Sequence, residues 1–259
     1  MAVNLWTKDE LILALNLYLK LPFGKMDSRN SDVIRLAKLI GRTANAVAIR
    51  LTNFAAVDPY HQARGIKGMD GGRKQCQPIW DEFVENRESL LFESERILAE
   101  KENLTLEEKF EGLFRDIKDL KGETKIREVK MRINQNVFRQ IVLSNYSTKC
   151  AVSNIDIPDL LVASHIIPWA VNENERLNPE NGICLSSLYD KAFDKGLIGI
   201  TEQFSVVISK DLKMNANKDY YQKYFAELEN KKLLLPIRYL PKKEFLQFHL
   251  DTVFSKRNN

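Results

Sequence analysis

The sequence predicts an α+β protein of two domains. The first, residues 1–110, is mainly helical and holds a helix-turn-helix-like segment; the second, 111–259, sets short strands around a polar loop. Three observations carry this expectation. Apolar residues recur at helical spacing from residue 7 to about 54 and again from Trp80 to about 100. Strand-like runs come only later, ending at His165, following Asn181 and covering Phe204–Ser209. Charge also changes sign along the chain: residues 81–111 hold eleven acids against four bases, and residues 121–149 hold seven bases against two acids.

Composition narrows the class. A chain of 259 residues with 44% hydrophobic and 29% charged residues suits a soluble protein with a sizeable core. No apolar run approaches the ~20 residues that span a bilayer, so no membrane association is expected. The opening Met-Ala-Val-Asn-Leu-Trp-Thr-Lys-Asp-Glu lacks the basic and apolar regions of a signal peptide. Cys76, Cys150 and Cys184 are odd in number and far apart, which argues against a disulfide framework and a four-cysteine zinc site. Reducing cytoplasm is the expected location.

In chain order, Thr7 and Glu10 form a capping-box pattern ahead of Leu11, Ala14, Leu15, Tyr18 and Leu19. Pro22 and Gly24 close that helix. Ser31 begins a second helix through Ile40, Gly41 marks a turn, and Thr43 caps a third helix, Ala44 to Phe54. The third helix buries Val47, Leu51 and Phe54, which leaves Arg42, Asn45, Arg50 and Asn53 for solvent or DNA. A plain three-helix bundle accounts for the same pattern. Residues 57–78, rich in glycine and proline, are expected to hold little regular structure, with Arg64, Lys67, Arg73 and Lys74 among the glycines. A long acidic helix then runs to about residue 100, followed by a connector to Gly122.

The second domain opens with a basic helix, Lys125 to Asn145, whose stripe is Val129, Ile133, Val137, Ile141 and Val142. Lys130, Arg132 and Arg139 on it, and Arg176 in the later loop, are candidate phosphate contacts. A solvated helix face, or a loop salt bridge for Arg176, explains them equally well. Beyond Gly199 a strand at Phe204–Ser209, a helix over 217–231, a strand or extended arm at Leu233–Leu240 and a last helix over Lys243–Phe254 are expected.

The chemistry-bearing residues cluster in 161–199. An apolar run ends in His165, Asn181 sits in a polar loop, and a helix-like segment carries Asp190 and Asp194. Phosphodiester hydrolysis needs a base for water and cationic help for the phosphate. His165 is the candidate base, because histidine titrates near neutrality. Asn181 would hold the loop or the imidazole. Asp190 is a hard oxygen ligand for Mg²⁺ or Mn²⁺, and Asp194, four residues on, would be a second ligand or orient the first. His61 and His249 read as structural, Cys150 and Cys184 as small buried residues, and Trp169 as packing under the loop.

Residues 135–199 as a set, with Cys150-Ala-Val-Ser, Ala163-Ser-His-Ile-Ile-Pro-Trp, Leu177-Asn-Pro-Glu-Asn-Gly and Ala192-Phe-Asp-Lys-Gly-Leu-Ile, resemble the HNH domain of bacterial restriction-type endonucleases. The resemblance implies a ββα-metal fold, a water-activating role for His165, and Asn181 as the central asparagine. It departs in two places. The third family residue is often histidine where this chain has Asp190 after Tyr189, and the residue before the base is often a histidine or aspartate ligand where this chain has Ser164. No Cys-x-x-Cys pair is present, so no structural zinc is expected. The resemblance implies a metal-dependent endonuclease acting on double-stranded DNA, restricting foreign or modified DNA. A homodimer would let one site per chain cut two antiparallel strands. A non-catalytic DNA-binding protein with a degenerate HNH fold is the competing class.

Overall fold

Thr7 caps α1 (Lys8–Lys20) through the expected capping box: Thr7 Oγ1 accepts from Glu10 N at 3.3 Å, and Glu10 Oε2 accepts from Thr7 N at 2.8 Å. In the computed structural model, which describes residues 5–65, 70–115 and 121–258, the chain divides into two compact units, Met1–Val137 and Phe138–Asn259. Composition had suggested a boundary at 110/111.

In the first unit α1 is the central helix. Eight of its thirteen residues are buried, so it is enclosed on most sides rather than amphipathic. Helices α2 (Ser31–Leu39), α3 (Ala44–Val57), α5 (Arg73–Glu85) and α6 (Arg87–Lys101) pack around it. The turn between α2 and α3 places Gly41 at φ +68°, the left-handed conformation that ends a helix at low cost for glycine.

Three expectations for this unit need correction. The described residues of the stretch 57–78, namely 57–65 and 70–78, are largely helical: Asp58 caps α4 (Pro59–Ala63) with Pro59 in the first turn, where its missing N–H costs nothing, and α5 begins at Arg73. Pro78 lies inside α5 on its exposed side, and burial of Cys76, Ile79, Trp80 and Phe83 outweighs the lost hydrogen bond. Lys67 and Gly68 lie outside the described residues. The single acidic helix is two helices, broken at Asn86, whose side chain accepts from Ser89 N and caps α6. Nor is its acidity all at the surface. Glu95 is 2% exposed and paired with Lys20 and Lys109, and although burial opposes it, those two cations bring its carboxyl down to about 2. After α6 come α7 (Leu106–Lys109) and α8 (Gly122–Asn145). The predicted stripe of α8 is buried throughout.

In the second unit β1 (Leu161–His165) and β2 (Gly182–Ser186) form an antiparallel pair, with Ser164 opposite Ile183 and His165 opposite Gly182. The chain passes directly from β2 into α9 (Ser187–Asp194), which packs on both strands. A second pair follows, β3 (Ile198–Ile200) and β4 (Val206–Ile208). Beyond it α10 (Lys210–Lys213) and α11 (Asp219–Tyr224) are short; the helix expected over 217–231 is confined to 219–224. Residues 233–240 form the expected extended arm, its N–H groups donating to Phe204 O, Ala151 O and Asn145 O. Helix α12 (Lys243–His249) continues in a wider π turn, Leu250–Phe254, against β3.

Gly182 decides how close α8 comes to the β1–β2 pair. A Cβ there would sit 2.4 Å from Val142 Cγ2 and 2.8 Å from Phe138 Cζ. Gly182→Ala is therefore expected to lower stability by about 1–3 kcal/mol through overpacking. Urea denaturation should show a lower midpoint at unchanged slope. An unchanged midpoint would mean that α8 is not held against the strands at this point.

Candidate active site

His165 is the last residue of β1, and α8 supplies its floor. The imidazole stacks on the Phe138 ring at 4.1 Å between centroids and 15° between planes, and the Trp169 ring meets its edge at 5.4 Å. Gly182 is the cross-strand partner of His165, and it is the absence of a side chain there that lets Phe138 reach the imidazole.

The loop between the strands fixes the protonation of that ring. His165 Nε2 lies 2.9 Å from Arg176 O. A carbonyl only accepts, so Nε2 carries the proton and Nδ1 keeps its lone pair. Nδ1 makes no hydrogen bond to the protein. It is also not sealed from solvent, unlike the Nδ1 of His249. Burial lowers the His165 pKa, and the bond to Arg176 O opposes that shift. The ring is thus neutral near pH 7, with a basic nitrogen open to water.

Asn181 is 1% exposed and clamps the same loop. Its Oδ1 accepts from Ile167 N at 2.8 Å, and its Nδ2 donates to Ile167 O at 3.2 Å and Glu175 O at 3.0 Å. Of the two roles expected for it, the structure places it on the loop backbone, one residue from the carbonyl that His165 uses. Arg176 holds the loop from outside: Nε donates to Trp169 O at 2.8 Å, Nη2 meets Glu173 at 3.0 Å, and the guanidinium lies over the Trp169 ring. Trp169 therefore packs under the loop, as expected.

Strand alternation points Ser164 to the opposite face from His165, toward α9. Ser164 Oγ is buried and closes no hydrogen bond, yet lies near enough to Asp190 to hold its carboxyl down in part. Burial raises the Asp190 pKa overall, and burial together with the Asp190 charge raises that of Asp194. Tyr189, just before the position where histidine is usual in the family, donates its hydroxyl to Tyr224 O at 2.9 Å. The half-buried Asp190 carboxylate, with the exposed Asp194 one helical turn on and the Ser164 hydroxyl nearby, suits a small hard cation that keeps several waters. These groups do not suit zinc or copper, which favour imidazole and thiolate. Among the described residues no group of three or more His, Cys, Asp or Glu side chains is placed to hold a metal.

The remaining candidates divide. Asn45 is exposed. Arg42 is engaged by Glu10 through both carboxylate oxygens, at 2.9 and 2.8 Å, and by Leu5 O. Arg50, expected at the surface, is 8% exposed and bonded to Gln75 Oε1 at 3.1 Å; Asn53 is buried too. The spacing signals this, because 47, 50, 51 and 54 share one helical stripe. Lys130 lies 3.4 Å from Ser89 Oγ, and Arg132 donates to Leu113 O at 2.8 Å and pairs with Glu128. Arg139 donates to Leu161 O and Pro158 O, binding α8 to the start of β1. Most of these cations hold the protein's own backbone or side chains. Phe138 and Gly182 carry the site although the residue-type reading gave them no role; Gly182 follows Asn181 in an Asn-Gly pair that also suits a plain turn.

A histidine ends one strand, a buried asparagine clamps the loop, and two carboxylates lie on the helix that follows the second strand, so the local order is β, β, α. Residues 150–201 match the model of the HNH endonuclease family. No curated protein matches the chain.

The neutral tautomer has a direct readout. In nitrogen-detected NMR, His165 is expected to carry its proton on Nε2 and to titrate below the ordinary histidine value of about 6.5. Burial disfavours the imidazolium, so the basic form persists to lower pH than in a free histidine. A protonated Nδ1, or a pKa above that value, would contradict the assignment.

Proposed function

We propose that this protein is a metal-dependent endonuclease that hydrolyses phosphodiester bonds of double-stranded DNA, and that it restricts foreign or modified DNA. The observation that carries the reading is the His165 geometry: a neutral imidazole, held at Nε2 by Arg176 O and stacked on Phe138, with Nδ1 open to solvent. In this mechanism Nδ1 takes a proton from water as that water's oxygen attacks phosphorus. The imidazolium that forms keeps its Nε2–H bond to the carbonyl, so the ring does not turn as it charges. Asn181 holds the loop that presents this carbonyl. Asp190 and Asp194 would hold Mg²⁺ or Mn²⁺, with Ser164 Oγ beside them. Such an ion supplies positive charge to the phosphate and the departing oxygen.

The absence of a three-ligand cluster among the described residues favours a second reading, a DNA-binding protein with a silent HNH fold. A cleavage assay separates the two. Wild type should cut duplex DNA with Mg²⁺ or Mn²⁺, and His165→Ala should lose about 10²–10⁴-fold in rate while binding DNA as before. Asp190→Asn should need more metal for whatever activity remains. Equal cleavage by wild type and His165→Ala removes the base, and no cleavage with any divalent ion favours the silent fold. Offering unmodified, methylated and hydroxymethylated duplexes in the same assay tests the restriction role.

A homodimer is part of the proposal, since cutting both strands calls for two sites. Leu234, Leu235, Ile237 and Leu240 are exposed along the arm and would form the contact. Sedimentation should give a dimer in wild type and a shift to monomer in Leu235→Glu; a monomeric wild type at micromolar concentration would refute it.

A further inference from the structure

The first unit carries a surface that the nuclease site does not use. Residues 33–80 hold eight bases and two acids, and one of those acids, Asp58, is buried. Within that segment α3 has no acidic residue, and its single charged residue, Arg50, is turned inward. What α3 presents outward is small and uncharged: Asn45, the half-buried Ala48, and Ile49, which is 48% exposed in the middle of a helix. One exposed isoleucine is ordinary on a protein surface; what sets this face apart is that it carries no charged side chain while exposed cations lie on the neighbouring helices.

Two arginines hold this face in position. Arg50 leaves α3 toward the first turn of α5, where it meets Gln75 and the Cys76 sulfur at 3.7 Å. Gly72 permits that approach, because a Cβ there would fall 2.1 Å from Asn53 Oδ1. Arg42 and Arg50 both lie over the Trp6 ring at 4.7 Å, which ties the start of the chain to the same corner. The exposed pair Arg73 and Lys74 is thereby placed beside α3, and Lys38, also exposed, lies in the last turn of α2 just before it. None of these three cations makes an ion pair among the described residues.

We propose that the outward face of α3, with Asn45, Ala48 and Ile49, enters the major groove of duplex DNA, and that Lys38, Arg73 and Lys74 take the flanking phosphates. The chemistry divides accordingly. An asparagine side chain pairs with the N6 and N7 edge of adenine, and apolar side chains pack on the thymine methyl. Arginine and lysine on phosphate add affinity without sequence preference. The surface therefore reads A·T pairs through uncharged groups, and Arg42 and Arg50 are positioning residues rather than base contacts. This rests on DNA being the substrate of the HNH site.

Binding measured in EDTA, where no cleavage occurs, tests it on the full chain. The probes are a randomised duplex library and the duplex that wild type selects from it. Wild type should enrich a site containing A·T pairs. Asn45→Ala with Ile49→Ala should lower the preference for that site over random duplex on the order of ten-fold, with an unchanged salt slope. Arg73→Ala with Lys74→Ala should weaken binding to every duplex and reduce the slope of log K against log salt by about 1.8. These side chains are exposed, so circular dichroism melts should match wild type and exclude misfolding. Failure of wild type to bind duplex, or the same selected site from the Asn45/Ile49 variant, overturns the proposal. So does an unchanged salt slope in the Arg73/Lys74 variant. Loss of cleavage with these binding changes intact would count against the HNH reading alone.

Discussion

The second unit depends on one close approach, that of α8 to the β1–β2 pair at Gly182. Because residue 182 has no side chain, the Phe138 ring passes over the strand and lies flat against His165. That stack fixes the plane of the imidazole, and Arg176 O fixes its rotation within the plane. The loop that delivers Arg176 O is held by Asn181, whose polar side-chain atoms are all committed to backbone groups. Buried amides spent on backbone in this way remove loop freedom, since breaking any one of them strands a polar group away from water. A helix, a glycine, an asparagine and a carbonyl therefore act together to present one nitrogen.

His249 shows what separates such a histidine from an ordinary core residue. It too stacks on an aromatic ring, Phe193 at 3.7 Å, and sets Nε2 3.0 Å from a carbonyl, that of Phe193 itself. Its Nδ1, however, is sealed and unpartnered, and burial brings its pKa to about 4. Below about pH 6.5 the unfolded chain binds a proton that this folded ring refuses, so His249 takes stability away as pH falls toward 4. Both rings meet the same two kinds of neighbour. Access to the second nitrogen is what distinguishes them, and with it the capacity for chemistry.

Much of this arrangement was legible in the sequence. The apolar run ending at His165, the Asn-Gly pair and the i, i+4 aspartates on a helix are local patterns, and the local elements formed as they predict. The stripe of α8 was equally clear, since every member repeats at helical spacing. What stayed hidden was long-range. No local rule says that Phe138 meets His165, because the contact joins residues 27 apart through a glycine on a third element. Composition misled at 57–78, where two prolines suggested loop: one occupies a first helical turn, where it is tolerated, and the other lies inside α5, where burial of the helix's apolar side outweighs its lost hydrogen bond. Arg42 and Arg50 were assigned to DNA because arginine is usually exposed. One proved to be the partner of the Glu10 that caps α1, and the other lies on the buried stripe of its own helix.

Charge inside this protein is balanced unevenly. Glu95 is nearly sealed, but two lysines and Asn16 meet it. Arg50 has no carboxylate, yet the Trp6 ring, Gln75 and Cys76 spread its charge over neutral partners. Glu95 is complete without a ligand. Asp190 and Asp194 are not: each is raised by burial, Asp194 is raised further by its neighbour, and the nearby Ser164 hydroxyl closes no bond. A cation placed between carboxylates that repel each other gains from both, whereas at Glu95 it would have to displace lysines already in position. The pair on α9 therefore has more to gain from a cation than Glu95 has, and it follows directly on the strand that pairs with His165.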